Sequence, residues 1–256
     1  MWMSLTADLG ESFGRWRMGD DDALLDVVTS ASVACGFHAG DPMVMDRTVR
    51  MACARGVGVG AHPGYHDLEG FGRRDLVLSG DEMRTAVLYQ VGALAAFCRA
   101  AGIPLEHVKP HGQLYNRALV DEAVARAVVA GVAAWDGCLP VVAAGGALAD
   151  AARAVGLPVA VEAYLDRRYA PDGTLVPRGH AGAVLTDPAE VVAQACALAC
   201  EGRVQTAGGQ WLAVAPDTLV VHGDTPGAAQ LAGLVKETLA AAGIRWGSLA
   251  RVLAAR

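Results

Sequence analysis

The chain has 256 residues, 53% of them hydrophobic and 19% charged, with a formal net charge of −6. That length suits one (β/α)-barrel domain spanning residues 1–256, and so apolar a composition excludes a disordered chain. A negative balance with no basic cluster argues against nucleic acid, and no apolar run is long enough for a membrane span, since Gln90 and Gly92 interrupt even Thr85–Cys98.

Met1–Ala7 predicts a first strand, with no basic leader before it, and Asp8-Leu9-Gly10-Glu11 closes it. Ala31–Gly36 predicts a second strand, which runs on to His38, and Asp41-Pro42 then starts a helix over Pro42–Arg55. A third strand, Val57–Ala61, ends at His62. Ser79 and Glu82 have capping-box spacing ahead of a helix over Asp81–Ala101. The fourth strand, His107–Lys109, ends in Pro110-His111. Helix Asp121–Trp135, strand Leu139–Ala144, helix Ala147–Val155 and strand Pro158–Val161 follow. The long, turn-rich segment Tyr164–Gly182 reads as a lid. Helix Pro188–Glu201, strand Thr218–Val221 with His222 and Asp224 behind it, and helix Pro226–Ala242 complete the pattern. The tail Arg245–Arg256 reads as a surface helix. Six cysteines without a CxxC pair fit reduced, buried side chains and a cytoplasmic protein.

Strands alternating with helices imply parallel pairing. Seven strands suit a (β/α) barrel better than a doubly wound open sheet, because polar residues follow at least five of them. Barrels draw catalytic groups from many strand ends, whereas an open sheet gathers them at one switch point.

Four of the seven histidines, His38, His62, His111 and His222, follow apolar runs. One histidine so placed is most often a hydrogen-bonded structural residue; four in one chain should converge on the same barrel face with Asp8 and Glu11. Such a cluster supports two chemistries. Asp8, His38 and His62 are candidate metal ligands, and the alternative is metal-free proton transfer. Lys109, one of two lysines, closes a strand and reads as an anchor for phosphate or carboxylate rather than a Schiff-base nucleophile. Arg73, Arg74, Arg167 and Arg178 stand in two Gly-containing loops suited to binding the same groups. No Walker motif occurs in the sequence.

These segments closely resemble the LamB/YcsF family. The matches are Asp8-Leu-Gly-Glu-Ser-Phe-Gly14, Ala34-Cys-Gly-Phe-His-Ala-Gly-Asp41, Gly60-Ala-His-Pro-Gly-Tyr65 and Phe71-Gly-Arg-Arg74. They continue through Lys109-Pro-His-Gly112, Leu114-Tyr-Asn116, Asp166-Arg-Arg-Tyr169, Gly173–Arg178 and Val221–Gly227, a family-like core of about 5–244. The resemblance implies a seven-stranded barrel of the glycoside hydrolase/deacetylase type. It also implies the A component of an ATP-dependent 5-oxoprolinase, in which 5-oxo-L-proline, ATP and water give L-glutamate, ADP and phosphate with the help of subunits B and C. ATP, with Mg, would be co-substrate, a divalent metal a further candidate, and a homo-oligomer compatible.

On that reading Asp8, Glu11, His38, His62, Lys109 and His111 are catalytic. Arg73, Arg74, Tyr115, Asn116, Arg167, Arg178, His222 and Asp224 bind substrate or phosphate. Ser4-Leu5-Thr6 stands where the family usually has Asp-Leu-Asn, a departure expected to touch a metal or substrate contact at a strand end. The competing readings are a stand-alone metal-dependent deacetylase or amidohydrolase, and a non-catalytic subunit.

Overall fold

A computed structural model describes residues 1–223 and 227–256. Seven parallel strands carry the fold: β1 (Trp2–Leu9), β2 (Ser30–Ala34), β3 (Gly58–His62), β4 (Leu105–Val108), β5 (Val141–Ala143), β6 (Val159–Tyr164) and, later in the chain, β9 (Thr218–Val221). They pair in that order, and β9 pairs with both β6 and β1, so the sheet closes into a barrel. All seven strands expected from the sequence are present.

Helices α1 (Asp21–Leu25), α2 (Pro42–Ala54), α3 (Gly80–Ala100), α4 (Gly112–Val120), α5 (Glu122–Trp135), α6 (Gly146–Ala154), α7 (Pro188–Glu201) and α8 (Ala228–Ala241) lie between the strands. The starts of α2, α3 and α7 follow the expected chemistry. Asp41 accepts the amide protons of Met43 and Val44 at 2.8 and 2.9 Å, an arrangement worth about 1 kcal/mol. Ser79 and Glu82 form the complete capping box. At Gly131 of α5 an added Cβ would come within 2.7 Å of the Arg84 carbonyl, so the missing side chain lets α5 approach α3 closely.

Five features depart from expectation. The short helix α1, after the first strand, is not expected from the sequence. Helix α4 begins directly after His111 and is separated from α5 by Asp121, which caps α5. A hairpin of β7 (Arg203–Gln205) and β8 (Trp211–Ala213) stands outside the barrel. The tail is structural: β10 (Arg245–Trp246) pairs with the start of β1, and α9 (Leu249–Ala254) packs beneath the barrel with Leu249 fully buried beside Val142 and Ala160. Trp2 lies between Arg245 and Arg251, whose guanidinium carbons are 4.7 and 4.1 Å from its ring centre. Finally, the six cysteines are free, but only Cys35 and Cys98 are buried, while Cys138 and Cys200 are exposed.

Strand alternation places Ser4, Thr6 and Asp8 on one face of β1, pointing into the barrel. Ser4 and Thr6 therefore lie in the layers below Asp8, not at the strand end where the resemblance had placed them. Inside the barrel Thr6 bonds Thr218 of the neighbouring β9 at 2.6 Å, and Ser4 donates to Ser30 of β2 at 3.3 Å. The Ser30 hydroxyl in turn accepts the Leu249 amide proton at 2.9 Å, linking this hydroxyl cluster to the tail. No described helix is long and apolar enough to cross a membrane.

Candidate active site

Parallel strands deliver their C-terminal ends to one mouth, and the site is assembled from those ends. Asp8 ends β1, Glu11 and His38 follow β1 and β2, His62 ends β3, and Lys109 and His111 follow β4. The six side chains read as catalytic come together.

At the centre, the Lys109 ammonium donates to both Asp8 oxygens at 3.0 and 3.1 Å and lies 3.4 Å from Glu162 Oε2. Burial alone would favour neutral lysine, but the two carboxylates outweigh it and raise its pKa. Burial likewise pushes Asp8 up, yet His62, Lys109 and His222 together hold it well below the ordinary carboxylate range. Lys109 is thus a firmly held ammonium, the opposite of an amine poised for Schiff-base attack.

Three imidazoles stand against Glu11. His38 and His111 stack with ring centres 3.7 Å apart and planes within 3°, and His62 meets both edge-on. His62 Nδ1 donates to the Lys109 carbonyl at 2.6 Å, and His111 Nε2 donates to the Phe71 carbonyl at 2.8 Å. Glu11 Oε1 is 3.7 Å from His111 Nδ1 and 3.9 Å from His38 Nε2. One donor atom from each of Glu11, His38, His62 and His111 lies within 4.8 Å of all the others. Burial is the main reason that all three histidines have depressed pKa values, His111 down to about 3. Neutral imidazoles and a carboxylate are a chemically fitting donor set for a divalent metal. Asp8, expected to share that role, is 3.5 Å from His62 Nε2 but spends both oxygens on Lys109, and Glu11 and His111 stand in the group instead.

The loop 67–74 supports this arrangement. Asp67 accepts the amide protons of Gly70 and Arg74 at 3.0 and 3.2 Å and the Arg74 Nε proton at 2.7 Å. Phe71 has a φ of 55°, a left-handed conformation costing about 1 kcal/mol or more for a residue with a side chain. That conformation aims its carbonyl at His111. Arg74 therefore ties its own loop, while the Arg73 guanidinium lies over the Phe71 ring, 4.9 Å from its centre.

The remaining expected residues divide. His222 Nδ1 lies 2.8 and 3.0 Å from the oxygens of the fully buried Asp166, and its ring stacks on Tyr164. Burial raises the Asp166 pKa, but His222, Arg178 and a backbone hydrogen bond together outweigh it and the net shift is downward. Arg178 is close enough to Asp166 to help lower that pKa. Arg167 is buried at the start of the long segment after β6, donating to the Val176 carbonyl at 2.6 Å. That start is pinned by Gln194, whose amide donates to the carbonyls of Tyr164, Leu165 and Arg167. Tyr115 is buried with its hydroxyl accepting the Ala144 amide proton at 2.8 Å, and Asn116 is exposed on α4. Asp224 lies outside the described residues.

The sequence reading missed Glu162 and His107 and did not single out Asp166. Glu162 accepts the Tyr164 hydroxyl proton at 3.0 Å beside Lys109. His107 is fully buried under the site, 3.3 Å from Ser32 Oγ, and its ring fills the space that a side chain at Gly60 would take. A charged residue amid the apolar Val159–Tyr164 was the available signal for Glu162. Above the histidines a cleft of about 430 Å³, lined by Glu11, Phe13, Trp16, His38, Leu68 and Phe71, opens to solvent, a size suited to a small molecule.

The LamB/YcsF family model matches residues 3–254. The A component of 5-oxoprolinase from Methylococcus capsulatus is 54% identical over 94% of each chain. Its counterpart in Streptomyces coelicolor is 54% identical over 97% of this chain and 100% of its own, and that of Pyrococcus furiosus is 47% identical over 96% of each. Among solved structures, the lactam utilization protein from Thermus thermophilus superposes with a TM-score of 0.93 at 45% identity, covering 97% of this chain and 100% of its own.

Proposed function

Because the chain belongs to the LamB/YcsF family, we propose that it is the A component of an ATP-dependent 5-oxoprolinase, opening 5-oxo-L-proline to L-glutamate with subunits B and C in the cytoplasm. The observation that carries this reading is the near full-length identity with relatives that bear the name of that 5-oxoprolinase component, joined to a mouth whose ionisable groups converge.

The five-membered lactam is a stable amide, so its carbonyl must be activated. The lactam oxygen displaces ADP from the γ-phosphorus of ATP. One water then adds to the activated carbon, a proton goes to the ring nitrogen, and the C–N bond breaks to leave an acyl phosphate. A second water releases phosphate and glutamate. Asp8, held ionised by Lys109, is suited to orient the attacking water rather than to take its proton, and His222, oriented by Asp166, to deliver a proton to the ring nitrogen. Arg73 and Arg178 at the mouth are suited to the substrate carboxylate or a phosphate.

The test is glutamate release from 5-oxoproline by the three purified subunits, with ATP and its magnesium. Turnover that needs this chain and ATP, and that is abolished by His62→Ala or His111→Ala, supports the reading. Near-normal turnover in those variants overturns it. Glutamate release by this chain alone without ATP points instead to a stand-alone amidohydrolase, the reading that the glutamate–histidine cluster would then favour.

A further inference from the structure

His62 and His111 present a hydrogen-bonding problem that has few solutions. Their outer nitrogens face backbone carbonyls, at 2.6 Å for His62 Nδ1 to Lys109 and 2.8 Å for His111 Nε2 to Phe71. A carbonyl only accepts, so each outer nitrogen must carry the hydrogen. A neutral imidazole has one N–H, which leaves a lone pair on each inner nitrogen. Those inner nitrogens, His62 Nε2 and His111 Nδ1, are 2.9 Å apart. Two lone pairs facing at that distance repel unless a positive species lies between or beside them.

The surroundings show what that species is. Glu11 Oε1 is 3.7 Å from the same His111 nitrogen, which adds negative charge where a lone pair already points. His38 is buried, has no hydrogen-bond partner on either nitrogen among the described residues, and brings Nε2 within 3.9 Å of Glu11. A lone proton shared by His62 and His111 would leave His38 unsatisfied.

We propose that Glu11, His38, His62 and His111 bind one divalent transition-metal cation, with the carbonyls of Lys109 and Phe71 fixing the ring tautomers. Metal–nitrogen bonds of ~2.0–2.1 Å put two nitrogens about 2.9 Å apart at a right angle and about 3.4 Å apart in a tetrahedron. The 2.9 Å between His62 Nε2 and His111 Nδ1 is of that size, whereas Glu11 Oε1 lies wider, 3.7 Å from His111 and 3.9 Å from His38, and closes in when the ion binds. Metal-bound histidines regularly donate their other N–H to a carbonyl or carboxylate, as both do here. Three imidazoles to one carboxylate select zinc, cobalt, nickel or iron(II) over magnesium or calcium, which take oxygen ligands. The ion is therefore distinct from any magnesium that accompanies ATP. This inference rests on geometry and not on the proposed reaction, so either can fail without the other.

The test uses the full-length chain, freed of metal by chelator dialysis, then titrated with Zn²⁺, Co²⁺ and Mg²⁺ by calorimetry. One equivalent of Zn²⁺ or Co²⁺ should bind and raise the melting temperature, with Mg²⁺ at least 100-fold weaker. Glu11→Gln and His38→Ala should each weaken Zn²⁺ binding by 10-fold or more, while His107→Gln should not. X-ray absorption of the wild-type zinc form needs no variant to fold, and should show three imidazoles at ~2.0–2.1 Å. Absence of stoichiometric uptake by the wild-type chain overturns the proposal. So does uptake that Glu11→Gln and His38→Ala leave unchanged, or an absorption spectrum with fewer than two imidazoles.

Discussion

The Lys109 ammonium sits 3.0 and 3.1 Å from the two oxygens of Asp8, tying the end of the fourth barrel strand to the end of the first. Removing one partner of such a buried pair leaves the other charge uncompensated. Lys109→Met should therefore cost about 3–5 kcal/mol, and adding Asp8→Asn to it should restore part of that. Urea denaturation of the two single variants and the double variant checks this, and strictly additive losses would show that the pair is not coupled.

Asp166 holds His222 through a 2.8 Å contact to Nδ1. Asp166→Asn keeps the shape but can present its amide N–H where the imidazole needs an acceptor. Turnover should drop by roughly 10²–10⁴, the scale of general acid–base catalysis, with KM little changed and the circular dichroism spectrum intact. A loss below about threefold would remove this pair from the reaction.

Stability should fall in acid because of His107. Burial first, then Lys109 and His62, lower its pKa from 6.5 to about 3. Between those values the unfolded chain takes up a proton that the folded chain refuses, so stability declines as pH drops through this window. One such proton is worth up to about 1.4 kcal/mol per pH unit. Urea titrations at several pH values should give a shallower slope for His107→Gln than for the wild type. Equal slopes would mean that the folded protein protonates His107 freely.

The tail is expected to be needed for stability. Leu249 is fully buried beneath the barrel, so Leu249→Ala should destabilise by about 2–5 kcal/mol. A change under 0.5 kcal/mol in the same denaturation experiment would make α9 a surface appendage after all.

Local signals made most of this architecture legible. Each barrel strand is an apolar run bounded by a Gly, Pro or His turn, and Pro42, Ser79–Glu82 and Pro188 marked helix starts to within a residue or so. Helix α4 escaped because its apolar stripe opens on Gly112 and stops at Asp121, leaving too little pattern beside a turn. The tail escaped because its partners, Ser30, Val142 and Ala160, are over 85 residues away in sequence. Convergence of the histidines was readable from their shared place after strands. Their hydrogen-bond directions were not, since these depend on the backbone carbonyls of Lys109 and Phe71. Nor could the sequence separate Arg73 from Arg74, neighbours of which one faces the Phe71 ring and the other is held by Asp67.

Glu11, His38, His62 and His111 come from the ends of four successive strands, β1 to β4, whereas Asp166 and Arg178 come from the segment after β6 and His222 from the end of β9. The mouth is thus divided into two sectors joined at Lys109, which touches Asp8 on one side and Glu162 on the other. Such a partition lets the two sectors diverge separately. The segment 165–187 can be recast, or exchanged for another, to admit a different ring or acyl group while the donors contributed by β1 to β4 keep their places.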